Sequence, residues 1–202
     1  MSSHHFVKEQ QEPALLILEV SSISYDSISP LLEWSPTVLV AEAAMDTVLS
    51  WGFKIDVMLA SESYQSAHIH LLEEQYPVKF LTVKEGQFLE EGLQYLIASK
   101  HGAVNVVGYD HTKVFELEPK TDLIDLVIID GPLRYFPVKN GSFKKRYADV
   151  SLQLHAPEDT MVEVKTEGNS QFIKVNHATF VEVEGNVYFH SPEVFWIGEF
   201  LV

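Results

Sequence analysis

The chain has 202 residues, 46% of them hydrophobic, enough to build one large domain or two small ones around a real core. It contains no cysteine, which excludes a disulfide framework, a thiolate metal site and a cysteine nucleophile. Fourteen Lys+Arg against 29 Asp+Glu give a formal net charge of −15, which repels a phosphate backbone and argues against nucleic acid as a partner.

In chain order, the opening "MSSHHFVKEQQE" is polar and lacks the basic and apolar regions of a secretory signal, and no later apolar run approaches the ~18 residues of a membrane span. The expectation is a soluble, cytoplasmic protein with no membrane partner. From Ala14 to Val107, short apolar runs alternate with segments of helical period, the mark of βαβ units and a parallel sheet. The predicted strands are "ALLILEV", "PTVLVAEA", "FKIDVMLA", "VKFLTV" and "AVNVVG". Between them, "AAMDTVLSWG" predicts a helix closed by Gly52, and "YQSAHIHLLEEQYP" one stopped by Pro77. In "QFLEEGLQYLIASKHG", Phe88, Leu89, Leu93, Leu96 and Ile97 form one stripe and Gly102 closes the end. After Asp122, short segments from "LIDLVIIDG" to "VFWIGEF" are separated by Asp-Gly, Asn-Gly and Glu-Gly turn signals, which predicts an antiparallel β-domain. The polar, proline-containing "ELEPKTD" sets the boundary, giving domains 1–120 and 121–202. The expected fold class is α/β: an N-terminal parallel sheet with flanking helices plus a C-terminal antiparallel β-sandwich domain.

No glycine-rich dinucleotide fingerprint, Walker A loop or Gly-x-Ser-x-Gly elbow occurs. Asp110 and His111 follow the strand "AVNVVG" directly, at the carboxyl end where open α/β sheets bind ligands; an Asp-His pair also serves as a turn cap beside a solvated ring. His68 and His70, at i and i+2 of a predicted helix, point to different faces and read as surface histidines. Lys144, Lys145 and Arg146, with Lys139, are the one basic cluster, either an anion site or, on the favoured reading, a solvated loop face. Glu42, Glu62, Glu85 and Asp110 each fall at or just beyond a predicted strand end. Four such carboxylates on one rim would make a hard oxygen set suited to magnesium, whereas Glu42 and Glu85 also suit the first turn of a following helix. Phe195, Trp196 and Phe200 in "VFWIGEF" read as core aromatics, with a sticky edge as the other option.

The pieces "AEAAMD" (Ala41 to Asp46), "GFKID" (Gly52 to Asp56), "ASESY" (Ala60 to Tyr64), "EGQF" (Glu85 to Phe88) and "GYDHT" (Gly108 to Thr112) stand in the order of the motifs of the thiamine pyrophosphokinase family, which this sequence resembles. The resemblance implies a parallel α/β domain, a β-sandwich domain, a homodimer, and Mg²⁺- and ATP-dependent diphosphoryl transfer to thiamine. It implies catalytic roles for Asp110 and Glu85, ligand contacts from Glu42, Asp46, Ser61, Ser63, His111 and Asn176, and metal contacts from Glu62, Glu85 and Asp110. Against the family pattern, Glu42 stands for an aspartate, Ser61 and Ser63 replace two metal-binding aspartates, Phe88 replaces a third, and Val175 replaces the serine before Asn176. Serine hydroxyls are poor magnesium ligands, and losing one electrostatic contact costs on the order of 10²–10³ in rate. Two readings follow: a kinase whose glutamates rebuild the magnesium cluster with Asp110, or a dimeric module that binds thiamine or a nucleotide without transferring phosphate.

Overall fold

The computed structural model describes residues 12–139, 141–176 and 178–201, and its chain divides into two compact units. One runs through Tyr109 and takes in Leu123–Asp125; the other comprises Asp110–Asp122 and the chain from Leu126 onward. Residues 1–11, most of the segment read for a secretory signal, lie outside the described residues. Among the described residues no helix is long and apolar enough to cross a membrane.

The first unit is built on five parallel strands, β1 (Ala14–Ile17), β2 (Val38–Ala41), β3 (Val57–Ala60), β4 (Lys79–Thr82) and β5 (Ala103–Val107), in the order β5-β1-β2-β3-β4. Every residue of β1, β2 and β3 is buried, which is why these strands read as unbroken apolar runs, while edge strand β4 is only half covered. Its helices are α1 (Tyr25–Ile28), α2 (Met45–Trp51), α3 (Glu62–Ala67), α4 (Leu71–Glu74) and α5 (Phe88–Ala98). Gly52 closes α2 as expected, with its N–H on the Leu49 carbonyl. The single helix predicted over Tyr64 to Pro77 is instead two short ones. The break falls at His68, whose ring stacks on Tyr64 at 3.9 Å and whose Nδ1 lies 2.9 Å from the Tyr64 carbonyl. Helix α5 buries Gly92, Leu93 and Leu96, but it ends at Ala98 rather than at Gly102. Lys100, at φ 64°, turns the chain there, and the His101 N–H returns to the Leu96 carbonyl.

Among the described residues the second unit holds seven strands, the first entering it at Leu126: β6 (Asp125–Asp130), β7 (Leu133–Val138), β8 (Ser142–His155), β9 (Met161–Thr166), β10 (Asn169–Lys174), β11 (Ala178–His190) and β12 (Phe195–Phe200). They pair antiparallel in the order β6-β7-β12-β8-β11-β9-β10. The long strands β8 and β11 run together with a register shift between Val183 and Gly185, and side chains such as Leu154, Val164, Val187, Phe189 and Phe195 meet in one core. Segments that the sequence separated at Gly185 are therefore one strand. Phe195 and Trp196 are fully buried, and of the three terminal aromatics Phe200 alone faces solvent.

The basic cluster is not a loop. Lys144, Lys145 and Arg146 lie inside β8, where alternation turns Lys145 to the side of Glu199. Its ammonium donates to Glu199 Oε2 at 2.7 Å while Arg134 Nε donates to Oε1 at 2.8 Å. Burial pulls the Glu199 carboxyl upward, but these two cations outweigh it and hold the group below the usual carboxylate range. Part of the cluster's charge is thus consumed within the unit, which removes Lys145 from any anion site.

Candidate functional site

At the carboxyl edge of the first sheet, Ser61 leaves β3 in extended backbone and becomes the N-cap of α3, its Oγ accepting from the Tyr64 N–H at 3.3 Å. Glu42 leaves β2 in a single 3₁₀ turn, Glu42–Ala44. The pairing of Ala41 with Leu59 brings these two strand ends together. Glu42 Oε2 accepts twice from one residue: from the Ser61 N–H at 2.7 Å and from the Ser61 hydroxyl at 2.9 Å. Because that proton is spent on Glu42, Ser63 must be the donor in the 3.1 Å Ser63–Ser61 hydroxyl contact. Gln65 closes the floor, donating to the Ala60 carbonyl and to Thr82 Oγ1.

Ser61, Glu62, Ser63, Thr82, Glu85 and Glu91 line an open cleft of about 690 Å³ above this floor. Four of the predicted site residues are thereby brought together, and Glu42 joins them through Ser61. Glu62 and Ser63 stand in helical backbone, since α3 begins at Glu62. Asp46 is exposed in the first turn of α2. Burial raises the Tyr64 hydroxyl pKa, and the charges of Asp46 and Glu42 raise it further, so both carboxylates act on one ring.

Glu42, Glu62 and Glu85 do not form a preassembled magnesium cage. The ion requires several oxygen ligands in near-octahedral array. Here one Glu42 oxygen already carries two hydrogen bonds, and Glu62 and Glu85 are exposed. Among the described residues, Glu42, Glu62 and Glu85 form no group of three converging ligand atoms.

Asp110 and His111 belong to the second unit, where a different carboxylate meets them. Asp110 is the N-cap of the 3₁₀ segment His111–Lys120, its Oδ1 accepting from the Thr112 N–H at 2.9 Å and the Thr112 hydroxyl at 2.7 Å. The hydroxyl bond first, and then the N–H bond, hold the Asp110 carboxyl below the usual carboxylate range. The turn-cap role is therefore realised. The solvated ring is not: His111 Nδ1 lies 2.7 Å from Asp130 Oδ2, which also accepts the His111 N–H at 3.1 Å. The ring stacks on Tyr135 at 4.8 Å and 5° between planes, and meets His155 edge-on at 5.6 Å. Ligand atoms of Asp110, His111 and Asp130 all lie within 4.8 Å of one another. With Asp130 holding the Nδ1 proton, Nε2 is the acceptor nitrogen of His111. Tyr135 is fully buried and donates to Gln153 Oε1 at 2.6 Å; burial first, then Asp130, pushes its hydroxyl pKa far up.

Asn176 sits exposed between β10 and β11, its N–H directed to Thr179 Oγ1 at 3.3 Å, and Val175 beside it is buried in the core. Its neighbour His177 in "VNHA" lies outside the described residues.

The His111 platform rests on a missing side chain. Gly198 of β12 pairs with Tyr135, and a Cβ there would lie 2.4 Å from Tyr135 Cε1. Gly198→Ala is expected to cost roughly 1–3 kcal/mol by overpacking and to shift the His111 ring resonances as Tyr135 gives way. Unchanged His111 Hε1 and Hδ2 shifts in the variant would contradict that coupling.

No protein-family model matches the chain, and no curated protein matches it. Solved structures do. A thiamine pyrophosphokinase from Bacillus subtilis aligns over 94% of this chain and 99% of its own with a TM-score of 0.68 at 9% identity. The fold is that of the thiamine pyrophosphokinases. The enzyme from Geobacillus thermodenitrificans gives a TM-score of 0.68 at 11% identity, covering 93% of this chain and 97% of its own. Yeast thiamin pyrophosphokinase gives 0.61 at 9%, covering 93% and 86%. Within the thiamine pyrophosphokinase fold, the chemistry must be read from this chain's own residues, because identities near one in ten carry the backbone and little else.

Three residues of the second unit escaped the sequence. Asp130 ends "LVIID" just as Glu42 ends an earlier apolar run, so the strand-end rule applied to the first half would have found it. Tyr135 and His155 had no such signal, since only the antiparallel ladder brings them to His111.

Proposed function

We propose that this protein is a homodimeric ligand-binding module on the thiamine pyrophosphokinase fold, taking thiamine or a nucleotide without transferring a diphosphoryl group. The observation that carries this reading is the double donation of Ser61 to Glu42 Oε2, which ties two strand ends together with uncharged donors where a phosphoryl-transfer site would hold a cation. The surrounding cleft adds Glu62, Glu85 and Glu91 against the single cation Lys84, an environment that repels a triphosphate.

Incubation of the purified protein with ATP, magnesium and thiamine is expected to release no AMP above a protein-free blank. Calorimetry is expected to detect thiamine, a thiamine phosphate or a nucleotide with an affinity that a chelator leaves unchanged, and sedimentation to give a dimer. The grouping of Asp110, His111 and Asp130 favours retained catalysis instead. Magnesium-dependent AMP formation that falls in Glu85→Ala would establish that second reading and remove the first.

A further inference from the structure

We propose that the opposite, amino edge of the parallel sheet is a binding site for a small oxyanion, a carboxylate or a phosphate. This does not rest on the reading above. Strand β3 separates the two places, with Asp56 just before it and Ser61 just after. Thr37 leads into β2 and Lys79 opens β4; with Lys54, Asp56, Tyr95 of α5 and His101 they bound a depression of about 360 Å³.

Its charges are not balanced. Asp56 is fully engaged, Oδ2 accepting the Val38 N–H at 2.9 Å and Oδ1 meeting the Lys54 ammonium at 2.5 Å. That pair cancels. Lys79 remains: its ammonium stands 4.8 Å from the centroid of the Tyr95 ring, with no carboxylate within ion-pair distance among the described residues. In a chain of charge −15, a concavity whose net charge is positive selects for anions.

The buried wall asks for the same ligand. His101 is 7% exposed, and its Nε2 lies 3.1 Å from Thr37 Oγ1. Its Nδ1 is buried and has no hydrogen-bond partner among the described residues. Buried polar atoms are almost always satisfied, so an orphan beside a cavity wants a partner from it. In the tautomer whose Nε2 accepts from the Thr37 hydroxyl, the ring proton sits on Nδ1 and requires an acceptor. An oxyanion supplies that acceptor and a counter-charge for Lys79 together, which neither a neutral ligand nor a cation does.

The test is an amide NMR titration of the full chain with sodium acetate, with inorganic phosphate and, as control, with sodium chloride, all at fixed ionic strength. Saturable shifts at Thr37, Lys79 and His101 are expected with acetate, phosphate or both, and the anion that saturates identifies the class. Lys79→Gln, an exposed change, is expected to weaken binding at least tenfold, while Lys84→Gln at the other edge leaves it unchanged. The proposal is overturned by failure of both oxyanions to saturate, by equal saturation with chloride, or by equal responses of the two lysine variants. The AMP assay is indifferent to all of these outcomes.

Discussion

Gly108→Ala is expected to destabilise the protein by roughly 3–5 kcal/mol, far more than an ordinary loop substitution. Gly108 follows β5 at φ +78°, in the left-handed region that a Cβ disfavours. More seriously, that Cβ would stand 2.2 Å from the Glu19 carbonyl oxygen and 2.7 Å from the Glu19 nitrogen. Both are backbone atoms, and the segment is pinned by the Leu18 N–H to the Val107 carbonyl at 2.9 Å, so no rotamer change relieves the contact. Gly102→Ala is the matched control, with open space where its Cβ would go. Denaturant unfolding of the two variants decides the matter: equal midpoints would refute the close approach.

Acidification is expected to remove up to roughly 3 kcal/mol of stability between pH 6.5 and pH 4 through His155 alone. This ring ends β8 and is 4% exposed, wedged edge-on against Tyr135 and His111. Burial, and secondarily the neighbouring His111, lower its pKa from 6.5 to about 4. The sign follows from proton counting. Between those values the unfolded chain binds a proton that the folded chain refuses, so stability falls as pH falls; above 6.5 both states are neutral and the contribution is complete. Unfolding measured from pH 7.5 to 4.5 is expected to show this slope in the native protein and a shallower one in His155→Phe, whatever the variant's absolute stability. Parallel curves would exclude His155 as the source.

The two halves of the molecule were legible to different degrees, for physical reasons. Strands β1, β2 and β3 are buried on both faces and leave a continuous apolar imprint that needs no partner to interpret. The single helix predicted over Tyr64 to Pro77 is two, α3 and α4, with the break at His68, whose ring stacks on Tyr64 and lies against the Tyr64 carbonyl, a local contact that periodicity does not encode. In the second unit, alternation correctly announced strands, but glycines read as turns: Gly185 marks a bulge inside one long β11. The carboxyl-edge residues Ser61, Glu62, Ser63 and Glu85 were visible as strand-end positions and do share a cleft. What the chain order concealed was pairing. Lys145 finds Glu199, and His111 finds Asp130 and Tyr135, across separations that only the antiparallel ladder defines.

The Glu42–Ser61 join gives the mouth of the first sheet an autonomy from its ionic surroundings. Where clustered acids need a counter-ion to tolerate each other, the Glu42 oxygen at this join is satisfied by an amide and an alcohol. The join between β2 and β3 is thus made by an amide, an alcohol and one carboxylate oxygen. The neighbouring cleft is thereby floored by a contact that does not depend on what the cleft holds.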